Sequence, residues 1–150
     1  MSTPSGAGSA QHPFDVDAFL EQPLVARVAT VGAGGAPVVR PVWYLWERGA
    51  LWWITGAYAA MGRQLERDPR ASVAVDTCDL ERMVFLQVIM YGTAESAPFD
   101  PALARRKLRR YLGGDEADWH PDFRHYADDA RLVRFTPERT VARDLSKSAG

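Results

Sequence analysis

The sequence predicts a mainly β protein of the α+β class, in which an antiparallel sheet closes as a barrel and a few helices lie at its periphery. Three observations predict this fold class. Several short runs are rich in valine with alternating faces, glycine turns separate neighbouring runs, and only a few segments have helical periodicity. Strands connected by hairpins pair antiparallel, and several of them with few helices favour a barrel.

We expect a single domain over residues 13–146. The 150 residues and the 47% hydrophobic content suit one core and leave little room for a second. Residues 1–12 are rich in Ser, Gly, Ala and Pro and have no apolar periodicity, so they are predicted to form a disordered tail. Residues 147–150 are predicted to fray.

The first half of the domain is predicted to contain a helix, a three-stranded meander and a second helix. Asp15 can cap the first helix, and Phe14 and Phe19 occupy the two positions of a hydrophobic staple. Pro69 ends the second helix, because proline cannot continue it. In order, we predict a helix over Phe14–Leu20, strands over Leu24–Val31, Val38–Trp46 and Ala50–Thr55, and a helix over Ala59–Arg67.

The second half of the domain is predicted to contain two strands, a long helix, a short helix and two closing strands. Asp100 is a good N-cap, Pro101 suits the first helical position, and Gly113 follows the last turn. In the long helix, Tyr111 is predicted on the apolar stripe and Arg110 on the solvated face. The remaining predicted elements are strands over Ala71–Thr77 and Met83–Ala94, a helix over Pro121–Asp128, and strands over Arg131–Phe135 and Thr140–Leu145.

Composition argues against several classes of function. The 18 basic and 19 acidic side chains give a net charge of -1, which disfavours a nucleic-acid binder. The one cysteine excludes an intramolecular disulfide scaffold. We recognise neither a secretory signal nor a run of about 20 apolar residues, so we expect a cytoplasmic protein without a membrane partner. The three histidines lack metal-ligand spacing, and no metal site is predicted.

The region from the tryptophan cluster to the second helix is the most suggestive of a binding site. Four of the five tryptophans fall within residues 43–53, where they form either core or one wall of a pocket for a planar ligand. The strand ending at Thr55 leads into a helix whose free amides, with Arg63 and Arg67 behind them, favour an anion. A planar ring with a phosphate tail matches this pattern, and an ordinary strand–turn–helix on a tryptophan core matches it equally.

Several short motifs occur in a fixed order between Phe14 and Ser146. They are Ala29-Thr30-Val31, a glycine turn, Pro41-Val42-Trp43-Tyr44 before Trp46, Thr55-Gly56, the run from Arg63 to Pro69, Thr136-Pro137-Glu138, and Ala142-Arg143-Asp144-Leu145-Ser146. In this order they resemble the split β-barrel family that binds flavins or deazaflavins. That family includes pyridoxamine-5'-phosphate-oxidase-like proteins and deazaflavin-dependent reductases.

The resemblance implies a homodimer with two cofactor sites between its subunits and a small-molecule substrate. The residues implied to line the flavin or deazaflavin ring are Arg40, Pro41, Val42 and Trp43. Those implied to approach the ribityl phosphate are Thr55, Gly56, Ala59, Ala60 and Met61, with Arg63 helping to neutralise it. Trp53 and Tyr58 are implied to contact the substrate, and Tyr58 is a candidate proton donor, with water equally suitable.

The phosphate turn departs from the family pattern. Members often have a serine or threonine there, followed two residues on by a lysine, whereas this sequence has Ala59 and Met61. Each charge-assisted hydrogen bond lost is worth about 1.5–3 kcal/mol. We therefore expect the larger deazaflavin coenzyme F-420 rather than FMN, in an oxidoreductase that transfers a hydride to a conjugated small organic molecule. The alternatives are an FMN-dependent oxidase or reductase, and a non-catalytic protein that binds or stores flavin or haem.

Overall fold

The computed structural model describes residues 12–56 and 60–146. The predicted N-terminal tail up to residue 11 and the predicted fraying at 147–150 lie outside the described residues. The helices in the described ranges are α1 (Val16–Leu20), α2 (Ala60–Arg67) and α3 (Pro101–Leu112). The strands are β1 (Val25–Val31), β2 (Pro37–Trp43), β3 (Leu45–Glu47), β4 (Ala50–Gly56), β5 (Arg70–Asp76), β6 (Leu86–Ala97) and β7 (Ala130–Asp144).

The seven strands of the described ranges belong to one antiparallel sheet, which confirms the predicted fold class. Their order in the sheet is β2-β1-β5-β6-β7-β4-β3. The consecutive strands β2 and β3 therefore lie at opposite edges, although only Tyr44 separates them in the chain. The sheet must curl until its edges meet at Tyr44, and we call this junction the seam. Elsewhere β2 and β4 face each other without strand pairing between them.

The predictions of one strand over Val38–Trp46 and of a three-stranded meander are wrong. The strand is broken at Tyr44, whose backbone N–H donates to the hydroxyl of Tyr111 (2.9 Å) instead of to a neighbouring strand. The two halves then pair with different partners: β2 pairs with β1, and β3 pairs with β4. A helix from a distant part of the chain thus decides where the strand ends.

The two predicted closing strands form a single strand, β7, which continues through Pro137. The register with β6 shifts next to Gly92, so that a bulge accommodates the proline. A Cβ atom at residue 92 would lie 2.1 Å from the carbonyl oxygen of Thr136. Only glycine permits this close approach of the two backbones.

The other predicted boundaries differ by smaller amounts. Helices α1 and α3 begin where the sequence predicts an N-cap: the carboxylate of Asp15 accepts from the amide of Ala18 (3.1 Å), and Asp100 caps α3. β6 begins at Leu86 rather than at residue 83. The predicted helix over Pro121–Asp128 is wrong, because the structure has only a single 3₁₀ turn at its start.

The main core lies inside the curled sheet, and two helices pack against it. Its largest fully buried side chains include Trp53, Tyr44 and Phe135. α1 and α2 contribute buried residues to the same cluster, whereas α3 packs over Leu45 and Leu132 on the other side of the sheet. No helix in the described part of the chain is long and apolar enough to span a membrane.

Candidate functional site

A cavity of about 250 Å³ opens in the gap between β2 and β4. Its lining comes from three elements: β2, β4 and the start of α2. The lining residues are Arg40, Pro41, Val42, Trp53, Ile54, Thr55, Ala60 and Met61. The structure therefore brings together six of the residues predicted to contact a cofactor and one predicted to contact substrate, and it adds Ile54, which the sequence analysis did not identify.

The floor of this cavity is held by a contact between β4 and α2. The indole N–H of Trp53 donates to the sulfur of Met61 (3.1 Å), and Trp53 is only 1% exposed. A second buried bond, from the hydroxyl of Thr30 to the amide oxygen of Gln64 (3.1 Å), ties α2 to β1. Trp53 thus belongs to the buried core as well as to the cavity lining, and it offers a ligand little surface.

Arg40 supplies a buried donor without a partner. Its Nη1 atom has no hydrogen-bond partner among the described residues, although it is shielded from solvent. A guanidinium is always charged and has donors only, so an unpaired buried nitrogen favours a ligand that presents an oxygen or an anionic nitrogen. The residues present therefore suit a ligand that places a hydrogen-bond acceptor beside Arg40.

The start of α2 forms the opposite wall. Ala60 and Met61 line the cavity there, and the first amides of a helix have no intrahelical partner. The predicted site residues Tyr58 and Ala59 lie outside the described residues. Arg63 lies on the exposed side of the same helix, outside the cavity lining, and forms none of the ion pairs seen within the described ranges.

Thr55 lines the cavity, whereas Gly56 and Trp43 lie outside its lining. Gly56 is the last residue of β4, and the carboxylate of Asp129 lies beside it. Trp43 stacks on Tyr111, with ring centroids 4.4 Å apart and planes 5° apart, and on Phe123 at 5.8 Å. The indole is therefore packed on α3, so Trp43 could contact a ring in the cavity through its backbone.

A larger cavity of about 550 Å³ lies on the outer face of the sheet, next to β1, β5 and β6. Its most polar lining residues are Arg70, Ser72 and Glu138. Arg70 is already paired with Asp68 at 2.6 Å, and none of the buried unpaired polar atoms of the described residues belongs to this cavity. The smaller cavity between β2 and β4 is therefore the better candidate for a ligand site, because its lining includes a buried polar atom without a partner among the described residues.

The described residues contain no group of three or more His, Cys, Asp or Glu side chains that could hold a metal ion. His120 and Asp122 approach within 3.5 Å, but both are exposed and no third such group of the described residues joins them. Among the described residues of the cavity lining, Arg40 is the only side chain that carries a charge.

Comparison with known proteins gives a family assignment for almost the whole domain. The sequence profile of the family described as pyridoxamine 5'-phosphate oxidase matches residues 15–143. No curated protein matches the sequence.

Solved structures show the same fold. A conserved hypothetical protein of Mycobacterium tuberculosis has a TM-score of 0.75 and 24% identity, covering 100% of this chain and 89% of that one. A protein described as an F420 reductase has a TM-score of 0.63 and 23% identity, with 86% and 98% covered. The haem storage protein HutZ of Vibrio cholerae has a TM-score of 0.62 and 18% identity, with 86% and 91% covered.

Proposed function

Because the chain belongs to the pyridoxamine 5'-phosphate oxidase family, we propose that it is an oxidoreductase that binds the deazaflavin coenzyme F-420 and transfers a hydride to a conjugated small organic molecule. The cavity between β2 and β4, with the unpaired Nη1 atom of Arg40 in its wall, is the observation that carries this proposal. The cavity and the neighbouring start of α2 could hold the ring and the anionic tail of one ligand.

In this proposal, Arg40 would hold the ring by donating a hydrogen bond to one of its acceptor atoms. A donor held in a partly dry wall needs no reorganisation when the ring binds, and it stabilises negative charge on the ring. Trp53 and Met61 close the floor and exclude water from the inner face. When bound, the reduced deazaflavin supplies the hydride, and the protein supplies orientation and electrostatics. Tyr58 or a water molecule would deliver the proton.

The anionic tail is proposed to lie at the start of α2, where amides and Arg63 offer positive charge. Ala60 and Met61 have no side-chain donors to replace those of the family pattern. A cofactor with contacts beyond its first phosphate depends less on this turn than FMN does, which favours F-420. The likeness of the fold to a protein described as an F420 reductase supports this preference.

A homodimer is part of the proposal. Cavities for small molecules usually measure about 300–1,000 Å³, so a cavity of about 250 Å³ suits one half of a shared site. The outward faces of β2 and β6 carry apolar side chains that would suit a second copy of the chain: Val39 is 69% exposed and Tyr91 is 39% exposed. The partner would then cover the ring and complete the substrate pocket.

A non-catalytic protein that binds flavin or haem is the second candidate. The cavity lining favours it, because none of the described lining residues is an acid or a histidine that could transfer a proton. Arg40 is the only charged side chain among them. An FMN-dependent oxidase or reductase of the same fold is the third. These candidates differ in which ligand binds and in whether turnover follows.

Titration of the purified protein with F-420, FMN and haem, followed by quenching of tryptophan fluorescence, distinguishes the three candidates. We expect micromolar affinity for F-420 and weaker or no binding of FMN. Arg63→Ala should weaken F-420 binding, whereas Arg67→Ala, which removes an exposed arginine one turn further along α2, is the matched control. Tighter binding of FMN would refute the choice of cofactor, and F-420 binding without turnover of any enone would favour the storage protein.

A further inference from the structure

The seam at Tyr44 is held by two consecutive residues of α3. The N–H of Tyr44 donates to the hydroxyl of Tyr111 (2.9 Å), and its carbonyl accepts from the guanidinium of Arg110. Tyr44 lies between the last pair of β2 and the first pair of β3, so its backbone groups have no place in the strand ladders. Two side chains of α3 thus provide what a neighbouring strand would otherwise provide.

The hydroxyl of Tyr111 connects both sides of the seam. It accepts from the N–H of Tyr44 and donates its own hydrogen to the carbonyl of Leu24, 2.6 Å away. Leu24 directly precedes β1, the strand paired with β2. One oxygen atom therefore bridges the residue after β2 and the residue before β1, next to the pair of Val25 and Trp43. Burial raises the pKa of the Tyr111 hydroxyl, so it stays a neutral donor at physiological pH.

Arg110 joins the same seam to α1. Its guanidinium also donates to the carbonyls of Leu20, Glu21 and Gln22, the last at 2.6 Å. These carbonyls lie at and just after the C-terminus of α1, where carbonyl groups have no N–H partner within the helix. The guanidinium carbon lies 5.2 Å from the centre of the Tyr44 ring, which adds a cation–π contact. The side chain of Arg110 thus connects α3 by hydrogen bonds to both the end of α1 and the seam.

The seam is continuous with the cavity between β2 and β4. Trp43, which precedes Tyr44, stacks on the ring of Tyr111 at 4.4 Å. Residues 40–42, which come just before Trp43 on the same strand, line the cavity. At the seam the edges of the sheet are joined through the chain itself, and beyond it β2 and β4 have no mutual hydrogen bonds. The position of β2 across the cavity therefore depends on its pairing with β1 and on how the seam is held.

We propose that Tyr111 and Arg110 are positioning residues that fix the seam and thereby set the distance between β2 and β4 across the cavity. Neither residue belongs to the cavity lining, so both would act through Tyr44 and Trp43. The effect on ligand affinity rests on the proposed function, whereas the effect on the seam itself is independent of any ligand.

Tyr111→Phe tests this inference, because it removes only the hydroxyl. In the ligand-free variant, we expect the backbone amides of Arg40 and of residues 42–44 to exchange with deuterium at least tenfold faster, with little change in β5 or β6. At a temperature well below the thermal unfolding midpoint of Tyr111→Phe, the affinity of this variant for F-420 should be about tenfold lower than that of the wild type. The affinity for the corresponding deazariboflavin, which has the ring and no phosphate, should fall by the same factor, since the seam positions the ring side of the site.

Tyr126→Phe is the matched control, because the Tyr126 hydroxyl makes none of the hydrogen bonds seen in the described ranges and its ring packs on Phe99. Unchanged exchange at residues 40–44 in Tyr111→Phe would overturn the inference. So would faster exchange with unchanged affinity for both ligands. If Tyr111→Phe does not fold, Arg110→Lys takes its place with the same expected results. If the wild type binds neither ligand, the proposed function fails, and exchange alone decides whether α3 fixes the seam.

Discussion

Replacing Arg40 with methionine should stabilise the free protein and weaken its binding of ligand. The Nη1 atom of Arg40 is buried without a hydrogen-bond partner among the described residues. An unsatisfied buried donor costs about 1–3 kcal/mol, and methionine keeps a flexible chain without the donor. We therefore expect the free energy of unfolding of the ligand-free Arg40→Met protein to exceed that of the wild type by about 1–2 kcal/mol.

The same substitution removes the proposed donor to the ring. A hydrogen bond from a charged group contributes about 1.5–3 kcal/mol, and about 1.4 kcal/mol corresponds to a factor of ten in affinity. The Kd for F-420 should therefore rise about 10–150-fold.

Two assays measure these opposite effects: urea denaturation of the ligand-free protein and fluorescence titration with F-420. Arg67→Met serves as the control, because it removes an equal charge from an exposed position on α2 and should change neither quantity by much. A less stable Arg40→Met protein that binds F-420 as tightly as the wild type would refute the reasoning about the unpaired nitrogen.

Two further predictions concern stability. Gly92→Ala should lower the free energy of unfolding by about 3 kcal/mol or more, since the new Cβ would lie 2.1 Å from the carbonyl oxygen of Thr136. In Gly62→Ala the new Cβ meets open space on α2, so the free energy of unfolding should rise by about 0.5–1 kcal/mol. Equal changes in the free energy of unfolding of the two variants, measured by urea titration, would refute this contrast. Burial lowers the pKa of Lys107 from 10.5 to about 8, so the unfolded chain binds more protons between these values and stability should rise with pH across that window. Lys107→Met should be more stable than the wild type at pH 7 by about 2–4 kcal/mol and should lose this pH dependence, and a less stable variant would contradict it.

Local signals predicted most of the elements, because helix caps and alternating valines act over a few residues. Asp15 and Asp100 cap the helices that they were predicted to cap. The break at Tyr44 could not be predicted in this way, since it depends on a hydroxyl 67 positions later in the chain. The same limit explains why Arg110 was assigned to a solvated helix face: its partners are backbone carbonyls 66 to 90 positions away.

The candidate site was predicted through the family resemblance rather than through periodicity. The resemblance selected residues on β2, β4 and α2, and the curled sheet brings most of them to one cavity. Ile54 was not predicted, because the family motif on β4 begins one residue later, at Thr55-Gly56. The contact of Trp43 with Tyr111 was not predicted either, because ring stacking between distant residues leaves no local sequence pattern. The unpaired nitrogen of Arg40 is a property of three-dimensional packing alone.

The central claim is that the gap between β2 and β4 holds the ring of a deazaflavin. A crystal structure of the protein with F-420 tests this claim most directly. The account predicts the ring in that gap, with atoms of Arg40 and Thr55 within about 4 Å of it and a second protomer covering its outer face. A ring bound instead in the cavity beside Tyr91 and Arg70, or a gap filled by the protein's own side chains, would contradict it.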